Sequence, residues 1–453
     1  MQPLPKEFEE QMKRLLGEAG FFAYLDALNQ PYARALRVNL LLRPDGTPPC
    51  PIEGLGAPVP WAKGAYFVEG DARPGLSPLH EGGLFYMQEP SALTAVTALD
   101  PQPGERVLDL CAAPGGKSTQ IAALMAGRGL LCCNEPIPSR AQILSRNIER
   151  MGVRNAVVLS AMPDALAPRF PAFFDRILVD APCSGEGMFR RQPEARDEWD
   201  ADAPRRCADR QMEILAQAAK MLRPGGTMVY STCTFNDTEN EGVLRRFLAL
   251  HPEFSLVPFA LPGLPEAKDG YLHLYPHEMR GEGHFVSRLK KADGADEADA
   301  PVQAAPQRKA PARAAAKGKA PAPIALPDVL SDAFAPERLY TAGDALWMLP
   351  EGISIERLSG LRVLRTGLLL AHAEGKRSEP DHALAMALRP EEAARTASLT
   401  QTQALAYQAG ETLSLGDLPG GYTLLCCEGV SLGWGKQAGG LMKNHYPKGL
   451  RRR

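Results

Sequence analysis

Two cysteines follow strand-like runs of the sequence at the point where each run ends. The stretch RILVDAPCSGEG places Asp180 and Cys183 just after a buried run, and GTMVYSTCTFND places Cys233 just after the next one. Because the carboxyl ends of parallel strands meet at one rim of a sheet, we expect both thiols at the same rim. A structural cysteine lies more often inside an apolar run than beyond it. The alternative interpretation is a chance pair of small rim residues.

A pair of thiols beside an aspartate suits chemistry on a pyrimidine ring. Carbon 5 of cytosine is a poor nucleophile, but addition of a thiolate at carbon 6 turns the ring into an enamine that can attack an electrophilic methyl group. The ring also needs a proton or a hydrogen bond at N3, which an acidic side chain can provide. The adduct must then be broken, which gives a second cysteine a task. These residues alone do not say which cysteine attacks.

A third stretch, VLDLCAAPGGKSTQIAALM, joins an apolar run to a glycine pair and a lysine. Cys111 stands where a phosphate-binding loop requires its first glycine, so the pattern disfavours an NTPase. What remains is a strand over 106–110, a tight turn through Gly115 and Gly116, and an amphipathic helix from about Lys117. Ligands of such sheets bind beyond the strand ends, where a helix N-terminus offers free N–H groups. The stretch predicts a cofactor pocket without identifying the cofactor.

The elements that must position these residues alternate between strand-like and helical runs from 102 to about 291. Such alternation predicts an α/β fold with a mainly parallel sheet covered on both faces. The last two strand-like runs have no helix between them, so we expect an antiparallel edge. The runs are RVLDL, GLLCCNE, NAVVLS, RILVDAP, GTMVYSTC, YLHLYPH and GHFVSRLKK, and the helices cover 139–151, 207–222 and 238–251.

Length and local composition divide the chain into parts. At 453 residues it is too long for one ordinary core. We expect an N-terminal α+β domain over 1–95, a central α/β domain over 96–291, a disordered Ala/Pro/Lys-rich linker over 292–325 and a C-terminal α+β domain over 326–453. The length of the linker should allow the C-terminal domain and the central domain to bind the same partner molecule. The basic tail GWGKQAGGLMKNHYPKGLRRR interleaves Trp434 and Tyr446, which predicts phosphate contacts and stacking on bases.

Overall composition narrows the class of protein. The formal net charge of −2 gives no global sign of a nucleic-acid partner, so any such sign must be local. No apolar run is long enough to span a membrane, and the N-terminus does not resemble a signal peptide, so we expect a soluble cytoplasmic protein. The nine cysteines lack paired CxxC spacing, so we predict no metal site. Those inside strand-like runs should serve packing; they are Cys132, Cys133, Cys426 and Cys427.

Three motifs in order, LDLCAAPGGKS, VDAPCSGEGMFRR and YSTCTFNDTENE, resemble the signatures of the NOL1/NOP2/Sun family of RNA 5-methylcytosine methyltransferases. The resemblance runs from RALRVNLLL through HEMRGEGHFVSRLKK. It implies a Rossmann-like core, S-adenosyl-L-methionine as cofactor and methylation of cytosine carbon 5 in RNA. The closing GWGKQAGGLMKNHYPKGLRR resembles the C-terminal domain of bacterial small-subunit rRNA methyltransferases of the RsmF type. That similarity implies a PUA-like RNA-binding domain and 16S rRNA or the 30S subunit as substrate. We expect the N-terminal domain over 1–95 to bind RNA as well, and we expect a monomer.

The resemblance also implies roles for residues that match the family motifs. Cys233 of the STC motif would be the nucleophile, and Cys183 of the APC motif would assist product release. Asp180 would contact both cofactor and cytosine. Lys117 would orient catalytic groups, with a solvent-facing lysine as the alternative.

The implied cofactor contacts begin with the loop before the first helix. Glu135 is expected to hold the ribose hydroxyls, which also follows from an acidic residue about twenty positions after the glycine turn. Arg140 would lie at the cofactor rim, with a surface salt bridge as the alternative, and Asp164 would lie near the adenine. The loop residues are Cys111, Ala112, Ala113, Pro114, Gly115, Gly116 and Lys117, and Asp180 completes the set.

The RNA must also be held beside the pocket. Arg190 and Arg191 follow the Cys183 loop and are predicted to contact the RNA backbone, with a solvated surface pair as the alternative. Two other functions compete with rRNA methylation. One is the same reaction on tRNA, and the other is a non-catalytic RNA-binding factor for ribosome assembly. Both motif cysteines and Asp180 argue against the second.

Overall fold

The N-terminal part combines one long helix with a small antiparallel sheet. The computed structural model describes residues 3–294, 324–375 and 377–451, so the predicted linker lies, apart from its ends, outside the described residues. The sheet has the order β2-β3-β1-β4. The elements are α1 (Lys6–Asn29), β1 (Ala35–Val38), β2 (Leu55–Pro58), β3 (Ala65–Val68), α2 (Pro78–Glu81), β4 (Phe85–Gln88) and α3 (Thr94–Leu99).

The central part is built around a twisted mixed sheet with helices on both faces. Its elements are β5 (Arg106–Asp109), α4 (Gly116–Leu124), β6 (Leu130–Asn134), α5 (Pro138–Arg150), β7 (Ala156–Leu159), α6 (Pro163–Leu166), β8 (Phe174–Asp180), α7 (Glu194–Glu198), α8 (Ala203–Met221), β9 (Leu222–Thr232), α9 (Glu241–Leu250), β10 (Phe254–Leu256), β11 (Tyr271–Leu274) and β12 (His284–Lys291). Strands β7-β6-β5-β8-β9 are parallel, and β12 continues the sheet antiparallel to β9. The predicted α/β fold and its antiparallel edge are confirmed.

Local sequence explains these elements. Strands β6 (LLCCN) and β7 (AVVL) are buried at every position, as expected for parallel strands covered on both faces. Helix α5 starts with Pro138 in its first turn and buries Ala141, Leu144 and Ile148, which share one helical face. The four cysteines predicted to serve packing are buried. The order of strands reverses between β5 and β8, so a ligand is expected beyond their carboxyl ends.

The C-terminal part contains two further four-stranded sheets, β13-β14-β16-β17 and β18-β19-β20-β21. Its elements are β13 (Leu339–Ala342), β14 (Ala345–Met348), α10 (Ile355–Leu358), β15 (Val363–Arg365), β16 (Leu368–Glu374), β17 (Arg377–Pro380), α11 (His382–Ala387), β18 (Thr396–Ser398), α12 (Gln401–Ala409), β19 (Gly421–Cys427), β20 (Val430–Ala438) and β21 (Leu441–Asn444). Strand β15 joins neither sheet. It pairs antiparallel with β7 and so extends the central sheet by one strand.

The C-terminal part is packed firmly against the other two. Arg365 of β15 forms an ion pair with Glu149 of α5, and Arg154 forms one with Glu392. One apolar cluster contains Leu36 from the N-terminal sheet and Leu425 from β19. These side-chain contacts therefore attach the C-terminal part to the other two.

Two aromatic residues of the C-terminal tail are core residues. Trp434 is 2% exposed and donates its indole N–H to the Asp381 carbonyl at 2.8 Å, and Tyr446 is 4% exposed with its ring centroid 5.3 Å from that of Tyr407. The prediction that they stack on bases was wrong, because strand β20 turns Trp434 toward the core. Lys443 and Lys448 remain exposed. Among the described residues, no helix combines the length and apolarity that crossing a membrane requires.

The Arg365–Glu149 ion pair should contribute measurably to stability. Arg365 is 4% exposed, so Arg365→Ala leaves the half-buried Glu149 carboxylate without its cation. We expect the free energy of unfolding to fall by about 3 kcal/mol in urea titrations. Arg362→Ala, at an exposed position in the same segment, is the control and should change it little. Equal effects of the two variants would contradict this account of the docking.

Candidate active site

Strands β8 and β9 carry the two motif cysteines to one rim of the central sheet. Both strands end just before their cysteine loops, and Cys183 Sγ lies 3.2 Å from Cys233 Sγ. The predicted convergence of the thiols is confirmed. The hydrogen bond with Cys233 raises the pKa of the Cys183 thiol well above its usual value, and burial adds to the effect. The two thiols therefore share one hydrogen bond at the rim of the sheet.

Asp180, the last residue of β8, lies at the centre of the rim. Its Oδ2 is 2.7 Å from Lys117 Nζ in the first turn of α4, and its Oδ1 accepts a hydrogen bond of 2.7 Å from Ser231 Oγ. His284 Nε2 lies 3.5 Å from the same Oδ1. Burial raises the pKa of Asp180, but Lys117 and His284 together lower it more, so the net pKa is below its usual value. Asp180 is ionised at neutral pH, and the solvent-facing alternative for Lys117 was wrong.

A cavity of about 640 Å³ opens beside this ion pair. It reaches from the Asp180 rim to the residues that follow β6, so it spans the point where the strand order reverses. Helix α8 closes one side with Ile214 and Gln217. The predicted site residues that line it are Cys111, Ala113, Glu135, Arg140, Asp164, Asp180, Cys183 and Cys233. The other predicted residues of this motif are not part of the cavity wall; they are Ala112, Pro114 and Gly115 in the loop, and Gly116 and Lys117 in the first turn of α4.

Backbone and side-chain hydrogen bonds hold the loop between β5 and α4. The Ala112 N–H donates to the Asn134 carbonyl at 2.8 Å, which continues the parallel pairing. From helix α5, Asn147 Nδ2 donates to the Pro114 carbonyl at 2.9 Å, and Arg140 donates to the Ala113 carbonyl at 3.2 Å. Gly115 has φ +111°, and a Cβ atom there would lie 3.2 Å from the Leu144 side chain. Only glycine fits this turn without strain.

The far end of the cavity has a polar and an apolar wall. Glu135, directly after β6, is 3% exposed; its Oε1 accepts from the Ile137 N–H at 3.0 Å, and its Oε2 lies 3.4 Å from Arg140. Arg140 therefore both lines the rim and forms a salt bridge. A buried carboxylate for ribose hydroxyls beside the apolar side chains of Ile137 and Pro163 matches what an adenosine moiety requires. The residues present thus fit an adenosine-containing cofactor.

Arg190 does not have the position that the sequence predicted. Its side chain is 9% exposed, lies 2.7 Å from Glu282 and donates to the Ala27 carbonyl at 2.6 Å. The prediction that Arg190 contacts RNA was wrong, because its guanidinium joins the end of α1 to the loop before β12. Arg191 is exposed, and its guanidinium lies 6.0 Å from the Tyr32 ring centroid.

Sequence reasoning missed several residues of this site. His284 reaches Asp180 because the antiparallel register pairs Phe285 of β12 with Thr232 of β9, and no sequence pattern fixes that register. Asp109 ends β5 inside the core; burial raises its pKa to about 7 although Ser118 Oγ donates to it at 2.6 Å. Glu239, in the loop that follows Cys233, is buried. The polar run NDTENE, two residues after the STC motif, was the sequence feature that could have indicated it.

The sequence profile described as 16S rRNA methyltransferase RsmB/F matches residues 96–290. "Ribosomal RNA small subunit methyltransferase F" from Erwinia tasmaniensis is 34% identical, with 98% of this chain and 96% of the relative aligned. The protein of the same name from Klebsiella pneumoniae is also 34% identical, over 98% and 96%.

The chain belongs to the RsmB/F family of methyltransferases.

Other profiles cover the remainder of this RsmB/F-family chain. They are the N-terminal domain of 16S rRNA methyltransferase RsmF at 4–90, the RsmF first C-terminal domain at 327–388 and the methyltransferase RsmF PUA domain at 394–452. These matches confirm the family resemblance and the PUA-like domain predicted at the C-terminus. S-adenosyl-L-methionine is the cofactor of this family.

Two solved structures show the same core. A methyltransferase homolog protein from Pyrococcus horikoshii is 30% identical with a TM-score of 0.54, covering 63% of this chain and 95% of that one. NSun6 from Pyrococcus horikoshii, solved with SFG, is 22% identical with a TM-score of 0.55, covering 64% and 98%. The second shows the fold alone. Across the described ranges, His, Cys, Asp and Glu side chains form no group of three or more suited to a metal ion.

The Lys117–Asp180 ion pair of this RsmB/F-family enzyme leads to a pH prediction. Asp180 keeps its charge because Lys117 and His284 outweigh burial. In Lys117→Met the burial effect dominates, so the pKa of Asp180 should rise and the acid limb of the pH–rate profile should move to higher pH. Lys117→Arg keeps a cation and should retain a limb closer to that of the wild type. An unchanged acid limb in Lys117→Met would contradict the role of this pair.

Proposed function

We propose that this protein methylates carbon 5 of a cytosine in 16S rRNA through a covalent cysteine adduct. The observation that carries the proposal is the contact between two thiols, 3.2 Å apart, beside an ionised aspartate at the rim of a cofactor cavity. Full-length relatives named as small-subunit rRNA methyltransferases support the substrate class. S-adenosylmethionine supplies the electrophilic methyl group when bound.

Cys233 is the proposed nucleophile. Its thiolate forms the S–C6 bond, and the C5=C6 electron pair becomes available at carbon 5 for the bond to the methyl group. This methyl group leaves the cofactor, when bound, and the electron pair of the broken bond stays on the cofactor's sulfur. Afterwards the C5 proton passes to water in the cleft, the double bond re-forms and the S–C6 electron pair returns to the sulfur of Cys233. Cys183, whose Sγ lies 3.2 Å from that of Cys233, is placed to donate a hydrogen bond to the departing sulfur and so assists this elimination.

Asp180 is proposed to orient the base. Because it is ionised, it accepts a hydrogen bond and does not protonate N3. The exocyclic amino group of cytosine is the matching donor, and uracil lacks it, so this contact favours cytosine. Lys117, held 2.7 Å from Asp180, fixes the carboxylate in place.

The cofactor contacts are proposed from the cavity wall. Glu135 accepts hydrogen bonds from the ribose hydroxyls, and Asp164 lies on the adenine side. Cys111 and Ala113, the residues of the loop after β5 that line the cavity, contact the methionine portion. The target base must leave its stack to reach Cys233. Since both thiols and the whole cavity come from one chain, we propose that a single chain acts alone, in the cytoplasm where rRNA is found.

The exposed lysines of the C-terminal tail are proposed to contact rRNA. Lys443 and Lys448 keep their side chains in solvent, unlike Trp434 and Tyr446, so the tail offers phosphate contacts without base stacking. Deleting the whole C-terminal part would remove β15 from the central sheet, so point variants are the sounder test.

The cysteine roles predict different outcomes for two substitutions. Cys233→Ala should abolish methyl transfer and adduct formation. In Cys183→Ala, Cys233 should still attack the base, but elimination should be slow. With 30S particles from a strain lacking this gene as substrate, a covalent protein–RNA adduct should therefore accumulate. Labelled RNA on a denaturing gel measures the adduct. A stable adduct from Cys233→Ala, or full turnover by it, would show that the roles are misassigned.

The tail lysines predict a salt-dependent effect on substrate binding. The double variant Lys443→Ala/Lys448→Ala should bind 30S particles more weakly, with the slope of log affinity against log salt smaller by about 1 for each phosphate that the variant no longer binds. Cofactor affinity by calorimetry should be unchanged. Lys268→Ala/Lys290→Ala removes two exposed lysines elsewhere and serves as the matched control. Full methylation of tRNA but not of 30S by the wild type would favour the tRNA alternative.

A further inference from the structure

Two buried glutamates link the loops that carry the cysteines. The first cysteine loop spans 181–189 and contains Glu186; the second spans 233–240 and contains Glu239. Both glutamates have no exposed surface. Burying a carboxylate is costly unless hydrogen-bond donors surround it, so each of these glutamates must have several donors around it.

Glu239 of the second loop binds the first. Its Oε2 accepts from the Ser184 N–H at 3.0 Å, and its Oε1 accepts from the Ser184 hydroxyl. Gln211 Nε2 of helix α8 donates to Oε2 at 2.8 Å and also to the Pro182 carbonyl at 3.1 Å. The backbone on both sides of Cys183 is therefore anchored to Glu239, directly at Ser184 and through Gln211 at Pro182.

Glu186 of the first loop binds the second in return. Its Oε2 accepts from the N–H groups of Phe235 at 2.8 Å and Asn236 at 3.1 Å, and the Gly187 N–H donates to the Cys233 carbonyl at 2.8 Å. Asn236 Nδ2 lies between the carboxylates and donates to Glu239 at 2.8 Å and to Glu186 at 3.1 Å. The two loops thus hold each other reciprocally.

This reciprocal network ends at the neighbours of both thiols. Ser184 follows Cys183, Thr234 follows Cys233, and their hydroxyl oxygens lie 2.8 Å apart. Strands β8 and β9 bring the two loops to the same rim, and this network sets the approach of the two sulfurs at 3.2 Å. The groups that face the Glu239 carboxylate are all donors, so an amide in its place would turn an NH₂ toward one of them whichever way it is rotated.

We propose that Glu239 is a positioning residue that holds the two thiols in contact, so that one can help release the base bound to the other. This inference rests on the proposed covalent mechanism for its catalytic consequence, but the positioning itself can be measured without catalysis.

The rate of disulfide formation between Cys183 and Cys233 measures how well the two thiols are aligned. The oxidant is diamide, an azo compound, and it is applied to the full-length protein. The two thiols form an S–S bond, and their hydrogens reduce diamide to the hydrazine, so the reaction reports how closely Cys183 and Cys233 approach. Peptide mapping by mass spectrometry identifies the 183–233 bond. We expect Glu239→Gln to form it about tenfold more slowly than the wild type, since loss of alignment lowers the effective concentration of one thiol near the other.

Asp237→Asn is the matched control, because it removes an exposed carboxylate from the same loop, and it should cross-link at the wild-type rate. Ser184→Ala removes only the hydroxyl contact with Glu239 and should slow disulfide formation less than Glu239→Gln does. Binding of S-adenosylhomocysteine checks that a variant is folded. If Glu239→Gln does not bind it, the rate for Ser184→Ala is used to test the positioning role instead. With 30S particles, Glu239→Gln should also prolong the protein–RNA adduct while leaving cofactor affinity unchanged.

The outcomes separate the two claims. If Glu239→Gln, or Ser184→Ala where the first does not bind cofactor, cross-links as fast as the wild type, the positioning role is overturned. If the wild type cross-links readily but never forms an RNA adduct, the covalent mechanism fails while the positioning role stands.

Discussion

The half-buried ion pair between Lys117 and Asp180 is the contact on which the site depends. It joins the first turn of α4 to the end of β8, and Ser231 and His284 connect the same carboxylate to β9 and β12. Both charges are partly withdrawn from water, so the contact between them stabilises the arrangement in which the ends of these elements meet. The loop from β5 to α4 can then form the cofactor wall on one side while the cysteine loops form the opposite wall.

The N-terminal and C-terminal parts pack against the elements that carry the site. Helix α1 packs Phe8 against Phe189 of the first cysteine loop, and its Tyr24 ring lies 5.8 Å from that of Phe235 in the second. Arg37 of β1, although buried, donates to Thr119 Oγ1 of α4 at 2.8 Å. The C-terminal part docks on β7 and α5, the helix whose side chains hold the cofactor loop. The N-terminal part, the C-terminal part and the catalytic rim therefore share one packed framework.

The sequence predicted what depends on local order and missed what depends on register or on distant packing. Cys183 and Cys233 could be placed at one rim because each follows a parallel strand, and Gly115 marked the turn. His284 depends on an antiparallel register that no local pattern encodes. The sequence indicated that Arg190 is a surface cation. Its side chain is instead nearly buried, in a salt bridge with Glu282, which lies far along the chain. Trp434 lay in a basic tail, and only the pairing of β20 turned it inward.

The claim at the centre of this account is that Cys233 forms the covalent bond to carbon 6 of cytosine. Reconstituted 30S particles whose 16S rRNA carries 5-fluorocytidine test it directly, because the fluorine replaces the hydrogen that must leave carbon 5 and so traps the methylated adduct. Mass-spectrometric mapping of the protein–RNA cross-link should place it on Cys233. A cross-link on Cys183, or methylation-competent enzyme that forms none, would contradict the account.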